Sequence, residues 1–94
     1  MPVIRLEITG RVQGVGYRWF ARESARRLGL AGWVRNRADG AVEVAAEGEQ
    51  TDLDAFVDEL RRGPPSSHVT LVRVLDAAAL SNLSQPFSVD RSAR

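Results

Sequence analysis

The chain lacks cysteine and lysine altogether and has a single histidine among its 94 residues. Without cysteine it forms neither disulfides nor thiolate metal sites. No apolar run approaches the roughly 20 residues that a membrane-spanning helix requires, and the N-terminus lacks the apolar core of a signal peptide. These absences predict a cytoplasmic protein that does not associate with membranes.

The positive and negative charges of the chain nearly cancel. All 13 basic residues are arginine, and 12 acidic residues leave a net charge of +1. So small a charge argues against nucleic acid or a membrane surface as the main partner. The exclusive use of arginine is interpreted as a coding bias, so an arginine is not functional merely by being present. The length predicts one domain over residues 1–94, with residues 91–94 frayed, and we expect a monomer.

Hydrophobic periodicity predicts an alternation of strands and helices. Turn signals separate them: Gly29 at the end of the first helix, Asp39-Gly40 in a hairpin turn, where both residues can adopt positive φ, and Gly63-Pro64-Pro65 after the second helix. Thr51 is expected to be the N-cap of the second helix. Strands are predicted at 3–9, 30–37, 41–47, 69–75 and 87–89, and helices at 17–28 and 52–62.

The order β-α-β-β-α-β is the split pattern of ferredoxin-like folds. It predicts an α+β sandwich in which two helices cover one face of an antiparallel or mixed sheet. The first two strands then flank the third and run parallel to each other, joined by a right-handed crossover. Their carboxyl ends share one edge of the sheet, so Asn36 should face Arg18 across the loop that follows the first strand.

That loop, residues 10–18 (GRVQGVGYR), is the most distinctive stretch of the chain. Glycines at 10, 14 and 16 permit positive φ, and successive N–H groups in such a turn can converge on an anion. The helix that follows adds its free N–H groups, and Arg18 lies in its first turn, where a cation opposes the helix dipole. Dinucleotide and Walker loops are excluded because Trp19 replaces the third glycine and lysine is absent.

An anion cradle beside the carboxamide of Asn36 includes no evident nucleophile, metal cluster or general base. His68 is interpreted as a structural or solvent residue that starts a strand, and Ser66 and Ser67 beside it lack an aspartate to complete a triad. Phosphoryl transfer asks mainly for positioning and charge stabilisation. An acyl phosphate releases a carboxylate that needs no proton, so this sparse site suits its hydrolysis, with Asn36 holding the water.

Together these pieces resemble the acylphosphatase family along nearly the whole chain. The matching stretches are residues 10–18, residues 32–36 with Gly40 and Val42, Gly63-Pro64-Pro65 before Val69, and residues 87–89. The resemblance implies hydrolysis of the carboxyl-phosphate bond of a small acyl phosphate, without a metal or other cofactor. It implies that Arg18 binds phosphate as the catalytic arginine and that Asn36 orients the water. The implied phosphate-binding residues are Gln13, Gly14, Val15, Gly16, Tyr17 and Arg18.

Two positions depart from the family pattern. Arg37 stands where a threonine often follows the asparagine, and this second guanidinium is expected to alter affinity for acidic acyl groups. Asp90-Arg91 stands where the family has a closing aromatic after the last strand. Trp33 is interpreted as packing at the sheet edge, with a place in the acyl pocket as the alternative.

Two other function classes remain as alternatives. RNA-binding modules share the element order, but they stack bases on aromatics of the central strands, and the third strand here has none. The other alternative keeps the cradle without turnover. It would be a phosphate-sensing domain or a relative of the acylphosphatase-like domain of hydrogenase-maturation proteins.

Overall fold

A computed structural model describes residues 1–91. Residues 92–94, which belong to the segment predicted to fray, lie outside the described residues. The elements follow the predicted order, with bounds that differ by at most two residues, and the final strand is in place. They are β1 (Val3–Arg11), α1 (Tyr17–Arg27), β2 (Ala31–Asn36), β3 (Val42–Glu47), α2 (Gln50–Arg62), β4 (His68–Leu75) and β5 (Ser88–Asp90).

The strands form one five-stranded mixed sheet in the order β4-β1-β3-β2-β5. β3 lies at the centre, antiparallel to β1 and to β2, while β5 runs parallel to β2. β1 and β2 are therefore parallel to each other, and their carboxyl ends share one edge, as predicted. The ferredoxin-like α+β fold is confirmed.

The core lies between the sheet and the two helices. Alternate residues of β1 and β3 enter it, and the two helices contribute one apolar stripe each. Phe56 of α2 packs edge-on against Phe87, with ring centroids 5.8 Å apart, so the chain just before β5 is anchored in the core. The largest fully buried apolar side chains are Tyr17, Phe56, Phe87, Leu6, Ile8, Leu30, Leu53 and Leu60.

The predicted hairpin turn is present between β2 and β3, whereas the predicted N-cap of α2 is wrong. In the hairpin Gly40 has positive φ, at 95°, and the carboxylate of Asp39 accepts from the N–H of Ala41 at 3.0 Å. The N-cap of α2 is Glu49, not Thr51, because the carbonyl of Glu49 already accepts the N–H of Leu53 at 2.9 Å. Thr51 therefore lies inside the helix.

The end of α1 matches its prediction. Gly29 has a φ of 71°, and the N–H of Leu30 reaches back to the carbonyl of Ala25 at 2.9 Å, which is the pattern of a glycine-terminated helix. Among residues 1–91, no helix is both long and apolar enough to cross a membrane.

Candidate active site

The loop between β1 and α1 has the backbone of an anion nest. Gly14 and Gly16 have φ of 75° and 80°, and a Cβ built on either would meet no atom within 4 Å. Glycine is thus required here by conformation rather than by crowding, and the space in front of the loop is open. Because the first helical hydrogen bond runs from Phe20 N–H to the carbonyl of Gly16 at 3.0 Å, the N–H groups of residues 17–19 have no helical partner.

Side-chain hydrogen bonds of Gln13 and Ser66 connect this loop to its neighbours. The carboxamide of Gln13 donates to the carbonyls of Arg37 and Ala41, at 2.8 and 3.0 Å. The hydroxyl of Ser66 donates to the carbonyl of Val15 at 3.1 Å. Gln13 thereby ties the loop to the residue next to Asn36, and any phosphate contact of Gln13 is left to its backbone N–H.

Tyr17 anchors the start of α1 in the core. Its hydroxyl donates to the carbonyl of Leu60 at 2.7 Å, and the side chain is fully buried. Burial raises the pKa of the phenol above its ordinary value. Tyr17 therefore stays neutral, and its predicted part in phosphate binding is left to its backbone N–H.

Arg18 projects into a pocket of about 190 Å³ at the mouth of the loop. It forms no ion pair with any carboxylate in residues 1–91. It lies in the first turn of α1, which contains no acidic residue. A guanidinium at the positive end of a helix without a counter-charge lowers stability. An anion bound in the loop would reverse that cost. The walls of the pocket are Val12, Gly14, Gly16, Tyr17, Arg18, Trp19, Arg22, Val89 and Arg91.

Asn36 is the last residue of β2 and pairs with Val42, whose other neighbour is Ile8 of β1. Val42 and Ile8 belong to the core, so the alternation of the strand turns Asn36 toward the helix side of the sheet. Its Oδ1 is buried, and within residues 1–91 it has no hydrogen-bond partner. An orphaned buried acceptor is costly and is most simply satisfied by a bound water.

Arg37 does not add its guanidinium to this site. Its guanidinium is instead paired with carboxylates, contacting Glu7 at 3.0 Å and Asp39 at 3.3 Å. Neither Arg37 nor Asn36 is among the residues of the pocket wall, so the ion pairs of Arg37 are what separate it from the site. Trp33 is likewise absent from the wall and instead lies under the guanidinium of Arg35, 4.5 Å from its ring centroid. The exposed aromatic at the pocket is Trp19.

The face of the sheet away from the helices neutralises its charges internally. Glu43, only 1% exposed, accepts from Arg5 at 2.6 Å and from Arg35 at 2.8 Å. Burial alone would raise the pKa of this carboxyl, but the hydrogen bonds and charges of the two arginines outweigh burial, so the pKa is lowered. Arg73 pairs with Glu7 at 2.9 Å.

The structure thus brings the 13–18 loop, Arg18 and the end of β2 to one edge of the sheet. Sequence reasoning did not identify Ser66, Trp19, Arg22 or Arg91 as parts of this region. The spacing of Arg18 and Arg22 was a usable signal, because residues four apart share a helix face. Ser66 and Arg91 offered none, since both reach the site through tertiary contacts.

His68 is exposed and begins β4, as predicted. In residues 1–91 no group of three or more His, Cys, Asp or Glu side chains is arranged to hold a metal ion. The arrangement that remains is a nest of N–H groups, an uncompensated guanidinium and a buried carboxamide oxygen. Such a set can bind an oxyanion and hold a water beside it.

Comparison with known proteins finds a family that matches this chain. The family model for acylphosphatase matches residues 4–89. An acylphosphatase of Koribacter versatilis is 57% identical over 79 residues, which make up 84% of this chain and 72% of that protein.

Solved structures agree in fold. The crystal structure of an acylphosphatase from Bacillus subtilis is similar with a TM-score of 0.89 and 42% identity, over 96% of this chain and 99% of that one. Full-length HypF in a phosphate- and nucleotide-bound form is similar with a TM-score of 0.76 and 28% identity. That match covers 98% of this chain but only 12% of HypF.

Proposed function

The chain belongs to the acylphosphatase family and is an acylphosphatase enzyme, and we propose that it hydrolyses acyl phosphates at the 13–18 loop without a metal. The loop N–H groups and Arg18 bind the phosphoryl oxygens, and Asn36 orients the attacking water. The observation that carries this assignment is a pair of unsatisfied groups: Arg18 lacks a carboxylate partner within residues 1–91, and the buried Oδ1 of Asn36 lacks a donor.

The reaction needs little acid–base chemistry from the protein. Water attacks phosphorus, the bond between phosphorus and the bridging oxygen breaks, and the carboxylate leaves with the electron pair without needing a proton. The proton of the water passes to a phosphoryl oxygen of the substrate. Charge on the equatorial oxygens grows or shifts in this transition state, and the Arg18 guanidinium and the nest are aimed at it.

Asn36 contributes by position. Its Oδ1 accepts one hydrogen of the water, which fixes the direction of a lone pair toward phosphorus. Holding nucleophile and electrophile in near-attack geometry lowers the barrier by up to several kcal/mol. The tie from Gln13 to the carbonyl of Arg37, at 2.8 Å, keeps the phosphate loop and the end of β2 in register for this.

The test is hydrolysis of benzoyl phosphate in excess EDTA by the native protein, by Arg18→Ala and by Arg61→Ala. Arg61 is exposed in the last turn of α2, so the control removes the same charge away from the site. We expect rapid turnover that falls about 10³-fold or more in Arg18→Ala only, by analogy with other arginines that stabilise phosphoryl transfer. Loss of turnover in EDTA would contradict the metal-free mechanism. Turnover that survives in folded Arg18→Ala would move the site, and phosphate binding without turnover would favour a sensing domain.

A further inference from the structure

The pocket carries more positive charge than one phosphoryl group requires. Three guanidiniums, those of Arg18, Arg22 and Arg91, line it, and none of the nine wall residues is acidic. Arg18 and the nest account for the phosphoryl oxygens in the mechanism proposed above. The other two guanidiniums then face the same 190 Å³ space without a described carboxylate in its wall. Like charges in one partly desolvated pocket repel each other, and a second anion would relieve that repulsion.

Arg22 is placed by the helix. It follows Arg18 by four residues, so both side chains lie on one face of α1. Its Nε donates to Glu23 at 3.1 Å, but Glu23 is not in the pocket wall. A pair of neighbouring side chains at the surface contributes little and is easily exchanged for another partner.

Arg91 is placed by the sheet. β5 is parallel to β2, and Val34 and Arg35 pair with Val89 and Asp90. The paired register ends at Asp90, and Arg91 is the residue that follows β5. Val89 packs against the core, and Arg91 comes two residues after it in the chain. Arg91 joins Val89 in the pocket wall.

The pocket wall also includes an aromatic side chain. Trp19 belongs to the wall although 61% of its area is exposed to solvent. An exposed indole beside guanidiniums suits a ligand that has both a carbon framework and a negative charge.

We propose that the preferred acyl phosphate carries a second anionic group, a carboxylate or a phosphate, on its acyl part. Arg91 binds that group together with Arg22, and Trp19 packs against the acyl carbons. The inference rests on the proposed function and adds to it the class of acyl group. The guanidinium that sequence reasoning assigned to acidic acyl groups, Arg37, is replaced in this role by Arg91.

The test measures binding alone, with analogues that the enzyme does not hydrolyse. Phenacylphosphonate is a non-hydrolysable analogue of benzoyl phosphate in which a methylene replaces the bridging oxygen. Its dissociation constant is compared, by calorimetry, with those of derivatives bearing a carboxylate, a phosphonate or a neutral carboxamide at the meta or para position. We expect at least one anionic derivative to bind about 10-fold more tightly than its carboxamide counterpart. A phosphonate that binds more tightly than the carboxylate would identify a phosphate, and the reverse order a carboxylate.

The same series is run on Arg22→Gln, Arg91→Gln, the double variant and Arg61→Gln. We expect the preference for the anion to fall about threefold in each single variant, to disappear in the double variant, and to persist in Arg61→Gln. No anion preference in the native protein, or a preference that survives in the double variant, would overturn the inference. The proposed function is judged independently, by the hydrolysis of benzoyl phosphate in EDTA and by its loss in Arg18→Ala.

Discussion

On the face of the sheet away from the helices, Arg5 and Arg35 both donate to Glu43, and Arg37 and Arg73 both contact Glu7. At the carboxyl ends of β1 and β2, by contrast, Arg18 has no carboxylate partner within residues 1–91, and a buried amide oxygen is orphaned beside the loop. Arginines of the first kind are neutralised within the sheet, whereas the second kind is the one to which we assign phosphate binding in the proposed function. The distinction lies in the partners and not in the residue type.

The largest contrast is expected between Arg18→Ala and Arg35→Ala. Arg18→Ala should lose about 10³-fold or more in kcat/KM while its free energy of unfolding stays the same or rises slightly, because a cation leaves the positive end of a helix. Arg35→Ala should do the opposite, losing stability with activity largely kept. Benzoyl phosphate kinetics and urea unfolding measure both quantities. Equal losses of stability in the two variants would abolish the contrast.

Asn36→Ala is expected to reduce kcat by about 10²-fold with little change in KM, since water placement acts in the transition state rather than in substrate binding. Its stability should not fall, because the substitution removes an unsatisfied buried oxygen. Steady-state kinetics and thermal unfolding test both expectations. A change confined to KM would show that Asn36 binds substrate, and a marked loss of stability would show that its oxygen has a structural partner.

Glu43→Gln tests the ion pairs on the face of the sheet away from the helices. Removing a buried charge from between two arginines should lower the free energy of unfolding by about 2 kcal/mol, less than for a fully buried pair because Arg5 is partly exposed to solvent. Activity should change little. Denaturant unfolding at pH 7 is the measurement, with the exposed Asp58→Asn as the matched control. An unchanged midpoint in Glu43→Gln would show that the ion pairs contribute nothing measurable.

The lowered pKa of Glu43 also predicts that stability depends on pH. Because the folded pKa of Glu43 is lowered, the carboxylate stabilises the protein fully above its unfolded pKa of about 4.3. That contribution is lost as the pH falls through the lower folded pKa. The native protein should therefore lose stability on acidification more steeply than Glu43→Gln. Parallel stability curves as the pH falls from neutrality through and below the unfolded pKa of about 4.3 would contradict the shift.

The smallest effect is expected for Tyr17→Phe. It removes the hydroxyl that donates to Leu60 and leaves a buried carbonyl without that donor, at a cost of about 1 kcal/mol. Activity should remain near the native level, because Tyr17 supports the loop through packing and its backbone N–H is unchanged. A large loss of kcat at unchanged stability would instead place the phenol in the chemistry.

Much of the fold was accessible from local pattern. Alternation in residues 3–9 and the helical stripe after Tyr17 depend on which side chains must leave water, and this preference is carried by neighbours in the chain. The glycine loop could also be predicted, because few residues other than glycine readily adopt the positive φ found at positions 14 and 16. Thr51 was misjudged as an N-cap because helix caps are settled by competing hydrogen bonds of similar energy.

The sequence alone determined the order of strands and helices, the glycine loop before α1 and the placement of Arg18 and Asn36 at one sheet edge, because periodicity and strand order constrain topology. Only the tertiary structure decided which arginines are neutralised. Arg35 and Glu43 pair across strands, Arg37 reaches Glu7, and Arg91 arrives through the parallel pairing of β5 with β2. Such contacts join residues distant in the chain or on adjacent strands, and thirteen identical side chains carry no local mark of the partner each will find.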